Sequence, residues 1–298
     1  MKQNSLSILT VVVVILGACT SHEKDYDATG TFEATEVVVS AEQSGRLLHL
    51  TATEGERVKN GQQLGLVDTL QLHLKALQMG ATKSSFAHQR PHVDTQVAAV
   101  RQQLADAERE WRRMKALSAA GAATSQQYDD ANSRVKVLQR QLNALLSSMG
   151  NSTESLNSQM NATDIQRRQV LDALEKCRIK SPLDGMVIEK YAEEGEFAAV
   201  GKPLFKVADT DKMFLRAYLT SAQLYHVKIG QKVKVFADYG EGKRKSYAGR
   251  VVWISSQSEF TPKTILTDDE RADLVYAVKI EVKNDGYIKI GMYGEVKL

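Results

Sequence analysis

The amino-acid sequence predicts a mainly β protein that carries a long α-helical hairpin. Glycine and aromatic residues, which favour turns and strands, are scarce in the middle of the chain: of 19 glycines and 19 aromatic residues, only three of each lie within residues 69–177. The segments on either side resemble each other at an offset of 140 residues. A β domain split by a helical insertion, with a small β-barrel after it, explains both observations.

Composition excludes several classes of protein. The 298 residues contain 39 Lys and Arg against 36 Asp and Glu, a formal net charge of +3, which gives no sign of nucleic-acid binding. Two cysteines cannot form a disulfide scaffold.

The N-terminal residues 1–18 are predicted to be a signal peptide. Lys2 precedes an apolar run, Leu6–Leu16, that is shorter than the roughly 20 residues needed to span a bilayer. The sequence Leu16-Gly17-Ala18-Cys19 resembles the lipobox of bacterial lipoproteins, which implies that Cys19 is acylated and becomes the mature N-terminus. An ordinary signal peptide with a chance cysteine is the alternative. Acylation of Cys19 would leave Cys177 as the only thiol.

An internal repeat defines the split domain, residues 37–68 and 178–209. An offset of 140 residues aligns 41–68 with 181–208 and superposes three pairs of glycines, Gly45 with Gly185, Gly55 with Gly195 and Gly61 with Gly201. Glycines between short apolar runs predict turns or close backbone approaches. Each half contains only a few short strands and cannot bury a face alone, so the two halves are expected to pack together.

The repeat resembles the two half-motifs of the biotinyl/lipoyl carrier fold. Carriers hold their modified lysine in the turn after the first half, and residues 67–72 contain no lysine. We therefore expect the fold without a lipoyl or biotinyl group and without any other cofactor. A carrier-like protein is the alternative.

Residues 69–177 are predicted to form an antiparallel coiled coil. Seam positions, spaced alternately by four and three residues, run outward from Leu72 to Met114 and back from Tyr128 to Cys177. Pro91 should kink or break the outbound arm, and residues 150–153 are weak helix formers. The hairpin should therefore be looser at its root than at its tip.

The predicted tip carries a candidate docking motif. Arg113, Leu117 and Thr124, spaced +4 and +7, resemble the Arg–Leu–Ser tip motif of periplasmic adaptor proteins, which engages a TolC-like outer-membrane channel. Without that resemblance, Arg113 would be a solvated charge and Leu117 a seam residue. Thr124 or Ser125 can also cap the returning helix.

The last segment, residues 210–298, is predicted to be a small β-barrel, with residues 19–36 supplying a linker and a first strand. Alternating runs at 232–236 and 276–282 indicate strands. Glycine motifs after Gly230, Gly249 and Gly291 resemble barrel signatures of the same adaptor family. Phe260-Thr261-Pro262-Lys263, with Thr267 and Glu270-Arg271, resembles adaptors of ABC exporters.

From about Thr31 to Leu298 the chain resembles the HlyD-like membrane fusion proteins, the periplasmic adaptors of tripartite efflux pumps. The resemblance implies a non-enzymatic adaptor that links an inner-membrane exporter, ABC type favoured and RND possible, to a TolC-like channel for small-molecule efflux. It further implies a hexameric ring and a lipid anchor, inner membrane favoured, in the periplasm of a Gram-negative bacterium.

Two alternatives remain. A lipid-anchored coiled-coil scaffold without a role in transport would share the same anchor and hairpin. His88 and His92 could face one side of a helix as metal ligands, but Pro91 lies between them and no carboxylate or thiol is suitably spaced. We expect no metal site, no catalytic residues and no nucleic-acid partner.

Overall fold

The computed structural model describes residues 26–240, 243–260 and 274–298. Within these ranges the chain is mainly β with a long helical hairpin, which confirms the predicted fold. The strands are β1 (Ala28–Ser40), β2 (Gly45–Leu50), β3 (Arg57–Val58), β4 (Gln63–Val67), β5 (Arg178–Lys180), β6 (Gly185–Lys190), β7 (Phe197–Ala198), β8 (Pro203–Thr220), β9 (Lys232–Asp238), β10 (Arg244–Phe260), β11 (Leu274–Lys283) and β12 (Tyr293–Lys297). The helices are α1 (Leu70–His88), α2 (Val93–Ala119), α3 (Ser125–Lys176) and a short α4 (Ser221–Leu224).

The two repeat halves build one β-sandwich by exchanging strands. One sheet has the order β7-β2-β4-β5, and the other runs β3-β6-β8-β1. Each sheet therefore takes its strands from both sides of the insertion. The sheets enclose a core to which both halves contribute, including Leu47, Leu64, Val187, Leu204 and Phe205, all at most 2% exposed.

Backbone hydrogen bonds across the sandwich follow the 140-residue repeat. The N–H of Gly55 donates to the Val187 carbonyl at 2.8 Å, and its equivalent Gly195 donates to Leu47 at 2.8 Å. Gly61 and Gly201 have φ angles of 78° and 85°, in the left-handed region where glycine is favoured, and make an equivalent exchange with Ser181 and Ala41. The halves are thus related by an approximate two-fold axis.

Gly45 and Gly185 serve close approach and not a left-handed turn. A Cβ on Gly185 would lie 2.2 Å from the Ala208 carbonyl oxygen, and one on Gly45 would lie 2.7 Å from Cγ1 of Val67. Glycine is needed at both positions because the next strand packs directly against the backbone.

Six strands close into the barrel that adjoins the sandwich. Their order is β1-β12-β9-β10-β11-β8, and pairing of β1 with β8 completes the circle. The barrel has its own core, centred on Phe32, Leu215, Val235 and Ile280. Strands β1 and β8 continue from the barrel into the sandwich, with a register shift between Ala34 and Thr35. The predicted domain boundaries at 36/37 and 209/210 fall inside these two strands.

The hairpin leaves the sandwich as α1 and α2 and returns as α3. The outbound arm is interrupted at residues 89–92, around Pro91, as its chemistry predicts. Every outbound seam position from Leu72 to Met114 is nevertheless at least half-buried, with the exception of Arg90. The heptad register therefore persists across the break.

Apolar packing is concentrated away from the root. The hairpin's apolar cluster contains Val97, Leu104, Leu142 and Met149, all from α2 and the facing part of α3. Residues 150–153, which are weak helix formers, nevertheless lie inside the continuous α3, because Met149 and Leu156 on either side are buried in the hairpin. Tertiary packing overrides the local propensity there.

Nearer the root, a polar pair occupies the seam. The Lys83 ammonium donates to Asp164 Oδ1 at 2.6 Å and, with help from Arg168, holds the pKa of the Asp164 carboxyl below its usual range. Such a pair adds little net stability but penalises a shifted register, since a shift would leave its charges unpaired.

The replacement Gly185→Ala should lower the free energy of unfolding by about 1–3 kcal/mol or more, because the new methyl group would overlap the Ala208 carbonyl. Gly80→Ala is the matched control. It adds the same methyl group to α1 with no atom within 4 Å and should raise stability by about 0.5–1 kcal/mol. Urea unfolding of both variants measures this, and equal stability of the two would contradict the close approach at Gly185.

Candidate docking site at the hairpin tip

The outbound helix ends in a compact local motif. Gly121, at a φ of 72°, follows the last residues of α2. Its N–H donates to the Ser118 carbonyl at 3.1 Å, and the Ala122 N–H donates to the Leu117 carbonyl at 2.9 Å. This is the hydrogen-bond pattern of a Schellman motif, which satisfies the last carbonyls of the helix and turns the chain back.

The returning helix begins with a capping box at Thr124. The Thr124 Oγ1 accepts from the Gln127 N–H at 3.3 Å, and the Gln127 Oε1 accepts from the Thr124 N–H at 2.9 Å. Of the two capping candidates in the sequence, Thr124 therefore takes the position and Ser125 becomes the first helical residue. Only Ala123 separates the two terminal motifs, so the tip is locally ordered at both ends.

Arg113 and Leu117 lie one turn apart on α2, immediately before the tip. The Arg113 side chain is 66% exposed and its Nη2 contacts the Glu110 carboxylate at 2.6 Å. Leu117, four residues after Arg113, is an apolar side chain that is 37% exposed. Residues four apart share a helix face, so a cation and an apolar side chain lie on one face of α2 just before the turn.

Trp111 and Lys115 lie on the adjoining surface of α2. The Lys115 ammonium lies 5.2 Å from the centroid of the Trp111 ring, within cation–π range. The indole Nε1 has no hydrogen-bond partner among the described residues.

The predicted site residues separate into three groups. Arg113 and Leu117 lie in the last two turns of α2, and Thr124 is the N-cap residue of α3, so all three lie at the tip end of the hairpin. The six repeat glycines lie in the sandwich, at the other end of the hairpin. Cys19 and the ABC-like segment after Phe260 fall outside the described residues, apart from the backbone of Phe260 itself.

The sequence reasoning missed Gln127 and the role of Gly121. Both had readable signals, since Thr124-Ser125-Gln126-Gln127 is a capping-box sequence and a lone glycine follows the last periodic residue of α2. They build the tip and do not enlarge its exposed motif.

The two histidines that could have shared a helix are separated by the break. His88 ends α1, where its Nδ1 lies 2.7 Å from the Ser84 carbonyl oxygen, and His92 is the N-cap residue of α2. Among residues 26–240, 243–260 and 274–298, no group of three His, Cys, Asp or Glu side chains could hold a metal ion. Over the same residues, no helix has the length and apolar character needed to cross a membrane.

The sandwich and hairpin match a family model described as the RND membrane fusion protein, barrel-sandwich hybrid domain, over residues 35–210. That match spans more than half of the chain. The chain belongs to this membrane fusion protein family. Membrane fusion proteins are periplasmic, membrane-associated adaptors and not enzymes, and they act with inner-membrane transporters and outer-membrane channels.

Curated relatives of this membrane fusion protein are similar over nearly their whole length. A UPF0194 membrane protein from the asrC 5′ region of Acidithiobacillus ferridurans is 27% identical, covering 98% of this chain and 94% of its own. A UPF0194 membrane protein of Yersinia enterocolitica is 25% identical, covering 98% and 97%.

Two solved structures share the fold. MacA from Actinobacillus actinomycetemcomitans superposes with a TM-score of 0.53 and 22% identity, over 90% of this chain and 76% of MacA. A MacA–MexA chimera with the α-hairpin domain of Pseudomonas aeruginosa MexA gives a TM-score of 0.51 and 23% identity, over 90% and 79%. At these identities, the similarity concerns the fold.

Thr124→Ala should destabilise the start of α3 by about 1 kcal/mol, because the Gln127 N–H loses its acceptor. Hydrogen exchange at the amides of residues 126–128 should accelerate severalfold, while exchange in the sandwich stays unchanged. Thr124→Ser keeps the hydroxyl and serves as the control, so it should retain near-normal protection. Equal protection in both variants would contradict the capping box.

Proposed function

We propose that this membrane fusion protein links an inner-membrane exporter to a TolC-like outer-membrane channel, and that Arg113, Leu117 and Thr124 contact the channel. The observation that carries the proposal is the tip itself. It displays an exposed cation and an exposed leucine one turn apart on a turn ordered by two capping motifs. A side chain that only filled the coiled-coil seam would be covered by the other arm.

The position of the tip fits a connecting role. Helix α3 has 52 residues and is about 78 Å long at 1.5 Å per residue. It holds the tip residues at the far end of the hairpin from the sandwich and barrel. A contact made at the tip is therefore remote from any contact made by the barrel, as a protein that bridges two partners requires.

The exporter is proposed to be of the ABC type, which pumps small molecules. Support comes from the sequence from Phe260 to Arg271, which resembles ABC-associated adaptors. The matching family description names RND systems, so an RND transporter is the alternative. Crosslinking in cells followed by identification of the co-purified permease distinguishes the two.

The anchor is proposed to be a lipid on Cys19, holding the mature chain at the inner membrane. Two or more acyl chains hold a protein stably, whereas a single chain does so marginally. The barrel, whose β1 strand begins at Ala28, would then lie at the end of the molecule next to the anchor. The mature protein is further proposed to form a ring of six copies.

Measurement of the intact mass of the mature protein tests for acylation of Cys19 and for a lipoyl or biotinyl group. Cleavage before Cys19 with added acyl chains is expected, and a lipoyl or biotinyl adduct is not. Residues 67–72, which end β4 and begin α1, contain no lysine, and this supports the expectation of an unmodified protein.

Arg113→Asp and Leu117→Asp, made separately, should abolish export while protein level and membrane attachment stay normal. Each change places a carboxylate where the proposed contact requires a cation or an apolar group. Survival of cells that depend on this gene, measured on a panel of toxic small molecules, should fall to that of the deletion strain. A photo-crosslinker at Ala120 should capture the channel in the parent and not in either variant.

Arg112→Asp is the matched control. Arg112 is also exposed on α2, and its Nε donates to the Glu108 carbonyl of its own helix at 3.2 Å. It makes the same change of charge next to the motif and should leave export intact. Unchanged export in all three variants would contradict the docking role and favour a scaffold without a role in transport.

A further inference from the structure

An apolar ridge runs along the outer face of α1. Leu70, Leu74 and Leu77 are 57%, 50% and 59% exposed. Their spacing of four and then three residues is the spacing of the seam, but they lie on the opposite side of the helix from the seam residues Leu72 and Ala76. Helix α1 is therefore apolar on two faces, and among the described residues only one of them has a partner.

This arrangement differs from the outer face of α3. That face carries isolated apolar side chains, such as Val137 and Ile165, at 62% and 58% exposure. Single exposed apolar residues are ordinary on protein surfaces, whereas a contiguous apolar row on a helix usually contacts another protein surface.

The ridge begins beside a second open surface, on the sandwich. The 140-residue repeat makes Leu48, Phe197 and Leu70 equivalent to Ile188, Arg57 and Thr210. Those three line a cavity of about 230 Å³ between sandwich and barrel, which Ile288 and Ile290 of the barrel help to close. On the other half, Leu48 and Phe197 remain 38% and 66% exposed. Within the part of the chain that the structure describes, one of two equivalent surfaces is thus covered and the other, next to the ridge, is open.

The chain's own remaining segments are too short to cover the ridge. Residues 261–273 begin and end at the barrel end farthest from the sandwich, where Phe260 pairs with Leu274, and can reach out and back by at most about 23 Å. Strand β1, with 13 residues, runs about 43 Å from that end through the barrel and along the sandwich, and the ridge begins where the hairpin leaves the sandwich. On the proposed cleavage before Cys19, seven residues precede Tyr26 at that same end and reach at most about 25 Å.

A groove that fits the ridge lies on another face of the same pair of helices. It has a volume of about 460 Å³. Its apolar lining comes from Leu72 and Met79 of α1 and from Val170 and Ala173 of α3. Lys75, Gln166 and Gln169 form its polar rim. An apolar floor between two helices with a polar rim suits the side chains of a third helix.

We propose that the leucine ridge of one copy docks into this groove of a second copy. The inference rests on the proposed self-association and names the surface that makes it. Because ridge and groove are different surfaces of one molecule, the contact is heterologous, and repeating it generates a ring or an open chain and not a two-fold dimer.

Disulfide crosslinking between introduced cysteines tests directly whether the ridge of one copy contacts the groove of another. Leu74→Cys combined with Gln169→Cys should give a disulfide-linked ladder of oligomers in oxidised membranes of expressing cells. Each single variant should give no ladder, since a heterologous contact does not bring two copies of either position together. Cys177 is buried and does not interfere. A dimer from Leu74→Cys alone, or a Leu74→Cys product that contains a different protein, would overturn the proposal, as would no product from the pair.

Substitution of the ridge gives an independent measurement. Leu70→Gln, Leu74→Gln and Leu77→Gln together should raise by at least tenfold the concentration at which the full mature protein in detergent assembles, as followed by sedimentation velocity. Val137→Gln with Ile165→Gln is the matched control for lost exposed apolar surface and should assemble normally. Far-UV circular dichroism should be unchanged in both, since glutamine is a good helix former. Normal assembly of the triple variant would refute the role of the ridge.

The ridge contact and the docking role of the tip can be tested separately. Arg113→Asp lies far from the ridge and should assemble like the parent protein while failing in export. Normal export by Arg113→Asp, with assembly lost in the ridge variant, would refute the tip contact and leave the ridge contact standing.

Discussion

Strand exchange across the β-sandwich is the constraint on which the rest of the structure depends. Neither repeat half has a complete sheet, and each completes the other through reciprocal hydrogen bonds such as Gly55 to Val187 and Gly195 to Leu47. Whatever lies between the halves must therefore return to its starting point. The Val67 N–H donates to the Cys177 carbonyl at 2.9 Å, which joins the two feet of the insertion. An antiparallel helical pair satisfies that condition over any length.

The same constraint separates the roles of the two ends of the hairpin. At the root, the sandwich fixes position and direction. At the tip, a Schellman motif and a capping box define the turn from fewer than a dozen residues, with no contribution from the sandwich. The shape of the surface that displays Arg113 and Leu117 is thus set by residues at the tip, whereas its position is set by the sandwich at the root. A docking surface gains from that division, because its shape is unaffected by how the remote domains pack.

Much of this was accessible from the sequence, because it depends on local chemistry. The seam spacing, the break at Pro91 and a cap at Thr124 or Ser125 follow from residues close together in sequence, and the glycine repeat follows from two short segments that match each other. Strand exchange and closure of the barrel by β1 and β8 join residues far apart in sequence, so pattern alone could not assign them. The continuous helix through residues 150–153 needed the packing of Met149. The ridge was missed because Leu70, Leu74 and Leu77 lie among the seam positions in sequence and separate from them only on the helix surface.

The joined feet at Val67 and Cys177 also make the hairpin an adjustable spacer. Adding one heptad to each arm would preserve the seam and lengthen the hairpin by about 10 Å, while the sandwich would register no change. Over evolutionary time such a protein can follow the distance between two membranes in discrete steps, by paired insertions that need no compensating change elsewhere. Insertion near the root of one arm alone would shift the pairs beyond it, including Lys83 with Asp164, out of alignment. Natural variation in the length of this segment should therefore occur in matched heptads.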